Sequence, residues 1–253
     1  MDFSRDETTA IITLGVTSGI ILSLSAIIKL NEGFIRIDLN GLGSLLLITL
    51  GMIASVWWHE MGHKVVSGAI GYRTHTEAYY PGQVIGVVLG LFTFGGISFF
   101  TPNTPDLEAI PLERIHKHRK YENFKQQAFI AASGILATAA LVIVLHGISV
   151  FSGSSVIERL VLGNVLLMAY SLIPFELLSF YLLRFQQSIE QLPQSDGLYI
   201  LHYSPIAYVT TAAFALVLGA LVIFTTSVPL WFALIISLLA GLIVWHRFFL
   251  EQN

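Results

Sequence analysis

A chain of 253 residues in which 55% are hydrophobic and only 11% charged is not an ordinary soluble domain, where about a quarter of residues carry charge. With a mean hydropathy of +0.74 and no polar stretch long enough for a separate domain, residues 1–253 read as a single all-α polytopic membrane domain. The net charge of −3 identifies no partner, and the absence of cysteine excludes disulfides and thiolate metal ligands.

The acidic start, Asp2, Asp6 and Glu7 against Arg5, has the wrong sign for a secretory signal, so Thr8 to Leu30 is expected as a retained first span. A second span runs from Gly41 to about Ile70, and Gly71 is expected to stop it. Tyr72 to Gly82 then alternates polar and β-favouring residues up to a Pro-Gly pair, which predicts a short hairpin or extended strand closed by a turn. Gln83 to Phe100 is apolar but short and is broken at Gly95-Gly96, so it is expected to enter the membrane and return, with a full crossing as the alternative that the charge distribution leaves open. The loop Asp106 to Lys125 holds Arg114, Lys117, Arg119, Lys120 and Lys125, five of the thirteen basic residues, and belongs on the cytoplasmic side. Its role is orientation and attraction to anionic lipid; no nucleic acid partner is expected. Gln126 to Val150, Val156 to about Arg184, Ile206 to Phe224 and Val228 to about Phe249 bring the count to about six transmembrane helices, plus the re-entrant segment.

Within the second span stands His59-Glu60-Met61-Gly62-His63. Residues four apart on a helix lie one above the other, so both imidazoles can reach one metal ion while Glu60 flanks it. This is the pattern of zinc hydrolases in which the glutamate is the general base. The residues Gly41 to Trp58 before it carry no formal charge and span about 27 Å as a helix, which sets the motif near one face of a hydrocarbon core about 30 Å thick. Ionisable groups at that depth are costly and mark function. A catalytic zinc usually takes three protein ligands and leaves one position open. Glu77, His146, Glu176, Asp196 and His202 are the available third ligands. Asp196, the only aspartate after position 106, lies in a turn before a helix; Glu176 is the alternative.

The pair Asp196-Gly197, with Ser171-Leu172-Ile173-Pro174 before it, resembles the site-2 protease family of intramembrane zinc metalloproteases, and archaeal members look most similar. In that family an aspartate of an Asp-Gly pair is the third zinc ligand and an Asn-x-x-Pro motif ends the preceding span. Ala132-Ser133-Gly134 and the segment around Ala78-Tyr79-Tyr80-Pro81 are further echoes, and the resemblance covers roughly Gly41 to Pro205. Ser171 stands where the family has Asn, and Pro174 is separated from Asp196 by more residues than is usual, so Glu176 to Gln191 must fold back.

The resemblance implies a Zn2+ cofactor held by His59, His63 and Asp196, with Glu60 as the catalytic base. It implies cleavage of transmembrane protein substrates at peptide bonds in or near their membrane segments. Ser171, Tyr79 and Tyr80 are candidate substrate or oxyanion contacts, and Thr76 to Tyr80 a candidate for strand addition to an unwound substrate. The expected setting is a prokaryotic plasma membrane, multi-pass, with the site toward the cytoplasm. The readings that stay open are a zinc-binding membrane regulator or transporter without proteolytic activity, and a prenyl-protein type of membrane zinc protease.

Overall fold

The computed structural model of the chain describes residues 3–31, 34–37, 41–109, 123–174, 195–224 and 230–250. Helix α1 (Arg5–Ile27) opens with a capping box in which Ser4 and Glu7 satisfy each other's backbone N–H groups. Glu7, only 2% exposed, also forms a 2.9 Å ion pair with Lys64 of α2 (Gly41–Ile70), which ties the start of α1 to the turn just after His63. Gly15 and Gly19 let the two helices touch, since a Cβ on either would lie 2.5 Å from the Cα of Ile53 or Thr49. Between α1 and α2 lies a two-stranded antiparallel sheet, β1 (Ile28–Asn31) and β2 (Phe34–Ile37), where the sequence had suggested the end of a span to Leu30.

Helix α2 is about 45 Å long and is inverted relative to a helix facing water. Its polar residues Ser55, His59, Glu60, His63 and Ser67 are buried, while Leu42, Leu46, Leu47, Leu50 and Val65 are exposed. A helix that hides its polar groups and presents leucines outward is matched to an apolar surrounding. Among the described residues five helices are long and apolar enough to cross a membrane: Arg5–Ser25 within α1, α2, α4 (Phe124–Ser152), α5 (Ser155–Leu172) and α7 (Pro205–Phe224). The chain is thus a mostly helical membrane protein. Helix α8 (Leu230–Leu250) packs against α7.

Gly71 ends α2 at φ +82°, as its position suggested, and β3 (Tyr72–Glu77) follows. The expected Pro-Gly turn does not form. Pro81 instead lies in the first turn of α3 (Tyr80–Phe92), where its missing N–H is harmless and its fixed φ suits a helix start. The strand finds its partner far along the chain in β4 (Thr104–Ala109), with Glu77 opposite Thr104 and Tyr72 opposite Ala109. Residues 78 to 103 therefore leave the sheet and come back to the same end of it. Helix α3 spans only about 20 Å, Phe94 and Gly95 turn the chain at φ 53° and 78°, and the return runs back beside Tyr170, whose hydroxyl donates to the Ser98 carbonyl.

Two apolar clusters complete the packing. One joins α4, α5, α6 (Asp196–Tyr203) and α7 through Ile135, Val142, Met168, Ile200 and Leu218; the other joins α1, α2 and α5 around Met52, Leu167 and Phe100. Helix α5 stops at Leu172 rather than near Arg184, because the residue before Pro174 is pushed out of helical geometry. The fold-back expected of Glu176 to Gln191, and Glu176 as an alternative ligand, lie outside the described residues, as do Arg114, Lys117, Arg119 and Lys120.

Candidate metal centre

His59, His63 and Asp196 converge, and among the described residues they form the group of three that could hold a metal ion. All are almost fully buried, at 3%, 1% and 3% exposure. The two histidine Nε2 atoms are 3.2 Å apart; one faces Asp196 Oδ2 at 3.2 Å and the other Oδ1 at 3.4 Å.

The hydrogen bonds behind the rings fix their tautomers. His63 Nδ1 lies 2.8 Å from the Ile130 carbonyl, which can only accept, so Nδ1 carries the proton. His59 Nδ1 lies 2.8 Å from the Thr138 hydroxyl, whose single hydrogen is donated to the Gly134 carbonyl at 3.0 Å. With that hydrogen on Gly134, the Thr138 oxygen accepts from His59 Nδ1. With both imidazoles neutral, each turns an Nε2 lone pair toward the other and toward the Asp196 carboxylate. Such a cluster is repulsive unless a cation occupies its focus. Two nitrogens bound at about 2.05 Å and a tetrahedral angle would stand about 3.3 Å apart, close to the spacing found. The residues fit a divalent metal ion.

Close helix packing makes this convergence. The Gly134 position of α4 lies directly against His63, and a Cβ there would overlap the ring's Nε2 and Cε1 atoms. The Ser133 hydroxyl, beside it, lies between the Ile130 carbonyl of its own helix and the Gly62 carbonyl of α2, and the Trp58 indole donates to the Ala137 carbonyl at 2.9 Å. Asp196 opens α6 behind its N-cap Ser195, where a carboxylate suits the positive end of the helix. Gly197 is pressed onto the backbone of Leu172, and a Cβ there would collide with the Leu172 carbonyl. The Tyr208 hydroxyl donates to that same carbonyl at 3.0 Å, so α7 helps hold the end of α5 that seats Asp196.

Glu60 is buried beside the two histidines, and the Thr76 hydroxyl of β3 donates to its Oε2 at 2.7 Å. Its carboxylate is thereby held in place by a neutral donor. Tyr199 of α6 donates to the Pro105 carbonyl of β4, so the β3/β4 pair is fastened both to the glutamate helix and to the aspartate helix.

The other candidates fall differently. Ser171 is fully buried one residue before Leu172, and its hydroxyl has no hydrogen-bond partner among the described residues. Tyr79 precedes α3 and Tyr80 begins it with 54% exposure, so the strand ends at Glu77 instead of reaching Tyr80. Glu77, His146 and His202 take no part in the group of three. Sequence reading missed Thr138, and took Thr76 as the start of a strand-addition segment and not as the donor to Glu60. The i, i+4 spacing of Gly134 and Thr138 places both on one helix face, but nothing in the sequence pairs that face with His59.

Comparison with protein-family models, curated proteins and solved structures finds no match to this chain.

Proposed function

We propose that this chain is an intramembrane zinc metalloprotease of the site-2 protease type, hydrolysing peptide bonds in or near transmembrane segments of membrane protein substrates. The observation that carries the reading is the buried focus of two Nε2 lone pairs and one carboxylate, with a third-element-supported glutamate beside it. His59, His63 and Asp196 would hold Zn2+. When bound, zinc lowers the pKa of a water ligand toward about 7 and polarises a substrate carbonyl.

The chain's own groups supply the rest. Glu60 accepts the proton of the attacking water and delivers it to the leaving amine, with Thr76 fixing which carboxylate oxygen is free to do so. Thr138 and the Ile130 carbonyl hold the imidazoles in the tautomer that exposes Nε2. The exposed leucines of α2 bring the site to lipid, where a substrate helix must unwind locally before any amide can be attacked. The β3/β4 pair beside Glu60 is where an extended substrate would add as a further strand.

Helix α8 serves as a sixth span in this reading, and residues 78–103 form a re-entrant element that keeps both ends on the site's side. The basic residues of the following loop assign that side to the cytoplasm of a prokaryotic plasma membrane. The test is purification in detergent, zinc analysis, and cleavage of a reporter transmembrane peptide in proteoliposomes before and after chelation. One zinc per chain, with cleavage lost on chelation and restored by zinc, is the expected result. Zinc without cleavage would instead identify a metal-binding regulator or transporter.

A further inference from the structure

The return arm that leads into β4 carries buried polarity that the proposed chemistry does not use. Asn103 is 5% exposed, yet among the described residues neither its Oδ1 nor its Nδ2 has a hydrogen-bond partner; the Thr101 hydroxyl (5% exposed) and the Gln83 Nε2 (3% exposed) are likewise unpartnered there. Leaving one such group unsatisfied in an apolar setting is unfavourable, and three within one short arm and the helix beside it call for an external partner.

Their placement says what kind. Asn103 stands one residue before β4, two positions along the chain from Pro105, which is paired with Thr76. Asn103 therefore adjoins the end of the strand pair whose Thr76 holds Glu60. Thr101 and Gln83 are drawn to the same arm. A Cβ on Gly82 would overlap the Thr101 side chain, and one on Gly86 would overlap the Phe99 carbonyl, so the arm lies flush against α3.

We infer that Asn103, with Thr101 and Gln83 beside it, binds the backbone of an extended substrate segment next to the metal centre. A carboxamide with both atoms free matches a peptide group, accepting from its N–H and donating to its C=O at once. The Thr101 hydroxyl and Gln83 amide add one contact each to neighbouring peptide groups. Because these contacts read backbone alone, they suit a substrate recognised by its unwound conformation rather than by its side chains. This inference rests on the proteolytic reading and names a residue that holds its substrate.

The test uses Asn103→Leu and Asn103→Gln in full-length protein, with Glu60→Gln as a background that retains substrate uncleaved. Retention of a fluorescent transmembrane peptide containing a helix-breaking Gly-Pro pair is measured together with zinc content and thermal midpoint. In the Glu60→Gln background, Asn103→Leu is expected to weaken retention about tenfold or more, with Asn103→Gln recovering part of it. Zinc content should not change, and the thermal midpoint should stay level or rise, because a buried unpaired carboxamide has been removed. A structural asparagine would instead lower the midpoint. Equal retention by Asn103→Leu and its parent would overturn the inference while leaving the protease reading intact. A Glu60→Gln protein that retains no peptide, with wild type cleaving none, would overturn both.

Discussion

Thr138 decides how His59 presents itself. Its hydroxyl hydrogen goes to Gly134, so its oxygen is left to accept from Nδ1, and Nε2 is kept bare for a cation. Replacing it with valine removes the acceptor and leaves the ring free to change tautomer or turn. Zinc affinity is expected to fall about 10–100-fold in Thr138→Val, measured by competition with a chromogenic chelator. Thr76 acts on the other half of the site. In Thr76→Val the Glu60 carboxylate loses its 2.7 Å donor, so kcat should drop about tenfold or more while zinc content stays at the wild-type level. Loss of zinc in that variant would place Thr76 in the metal site instead. The contrast also shows what the sequence could reveal at this scale. His59, Glu60 and His63 are legible because one helix fixes their spacing, and Asp196 because an Asp-Gly pair before a helix is rare in so apolar a chain. Thr138 lies 79 positions from His59, and that contact depends on how two helices pack.

At the scale of elements, glycines at two contacts bring the ligands together. Gly134 admits the His63 ring against α4, and Gly197 admits α6 against the end of α5. A methyl at Gly197 meets backbone, which cannot swing aside as a side chain would. Gly197→Ala is therefore expected to move Asp196, lowering zinc affinity at least about tenfold and lowering the thermal midpoint as well. Gly134→Ala should lose zinc too, since its methyl would meet the ligand ring itself. Metal titration of the two purified variants checks both; wild-type affinity in either would mean the helices are set apart further than described. The helices were readable from charge-free runs and the stop at Gly71. The β3/β4 pairing was not, because local alternation identifies a strand but says nothing of a partner beyond α3 and its return arm. Pro81 was misread for a related reason: Pro-Gly suits a turn, and equally suits a helix start when an apolar run follows.

For the whole molecule, the inverted helix α2 and the paired β3/β4 strands dictate how the chain sits relative to the bilayer. His75 and Asp106 are register partners and both are exposed, so the two ends of the segment between them lie side by side, as the proposed re-entrant element requires. The chain has no cysteine, so single replacements at these positions report cleanly. Both His75→Cys and Asp106→Cys are expected to react with a membrane-impermeant thiol reagent from the same face; labelling from opposite faces would exclude a re-entrant segment. The Glu7–Lys64 pair tests the assembly from its other end. Glu7→Gln leaves Lys64 without its buried carboxylate and is expected to cost about 3–5 kcal/mol in unfolding, read as a lower thermal midpoint in detergent.

The chemistry itself is tested most directly by single-turnover cleavage of a reporter transmembrane peptide by wild type and Glu60→Gln, both loaded with one zinc per chain. Cleavage by wild type and none by Glu60→Gln is the expected result, since the variant keeps the three ligands and loses only the group that moves the proton. Equal rates from the two proteins would contradict the account.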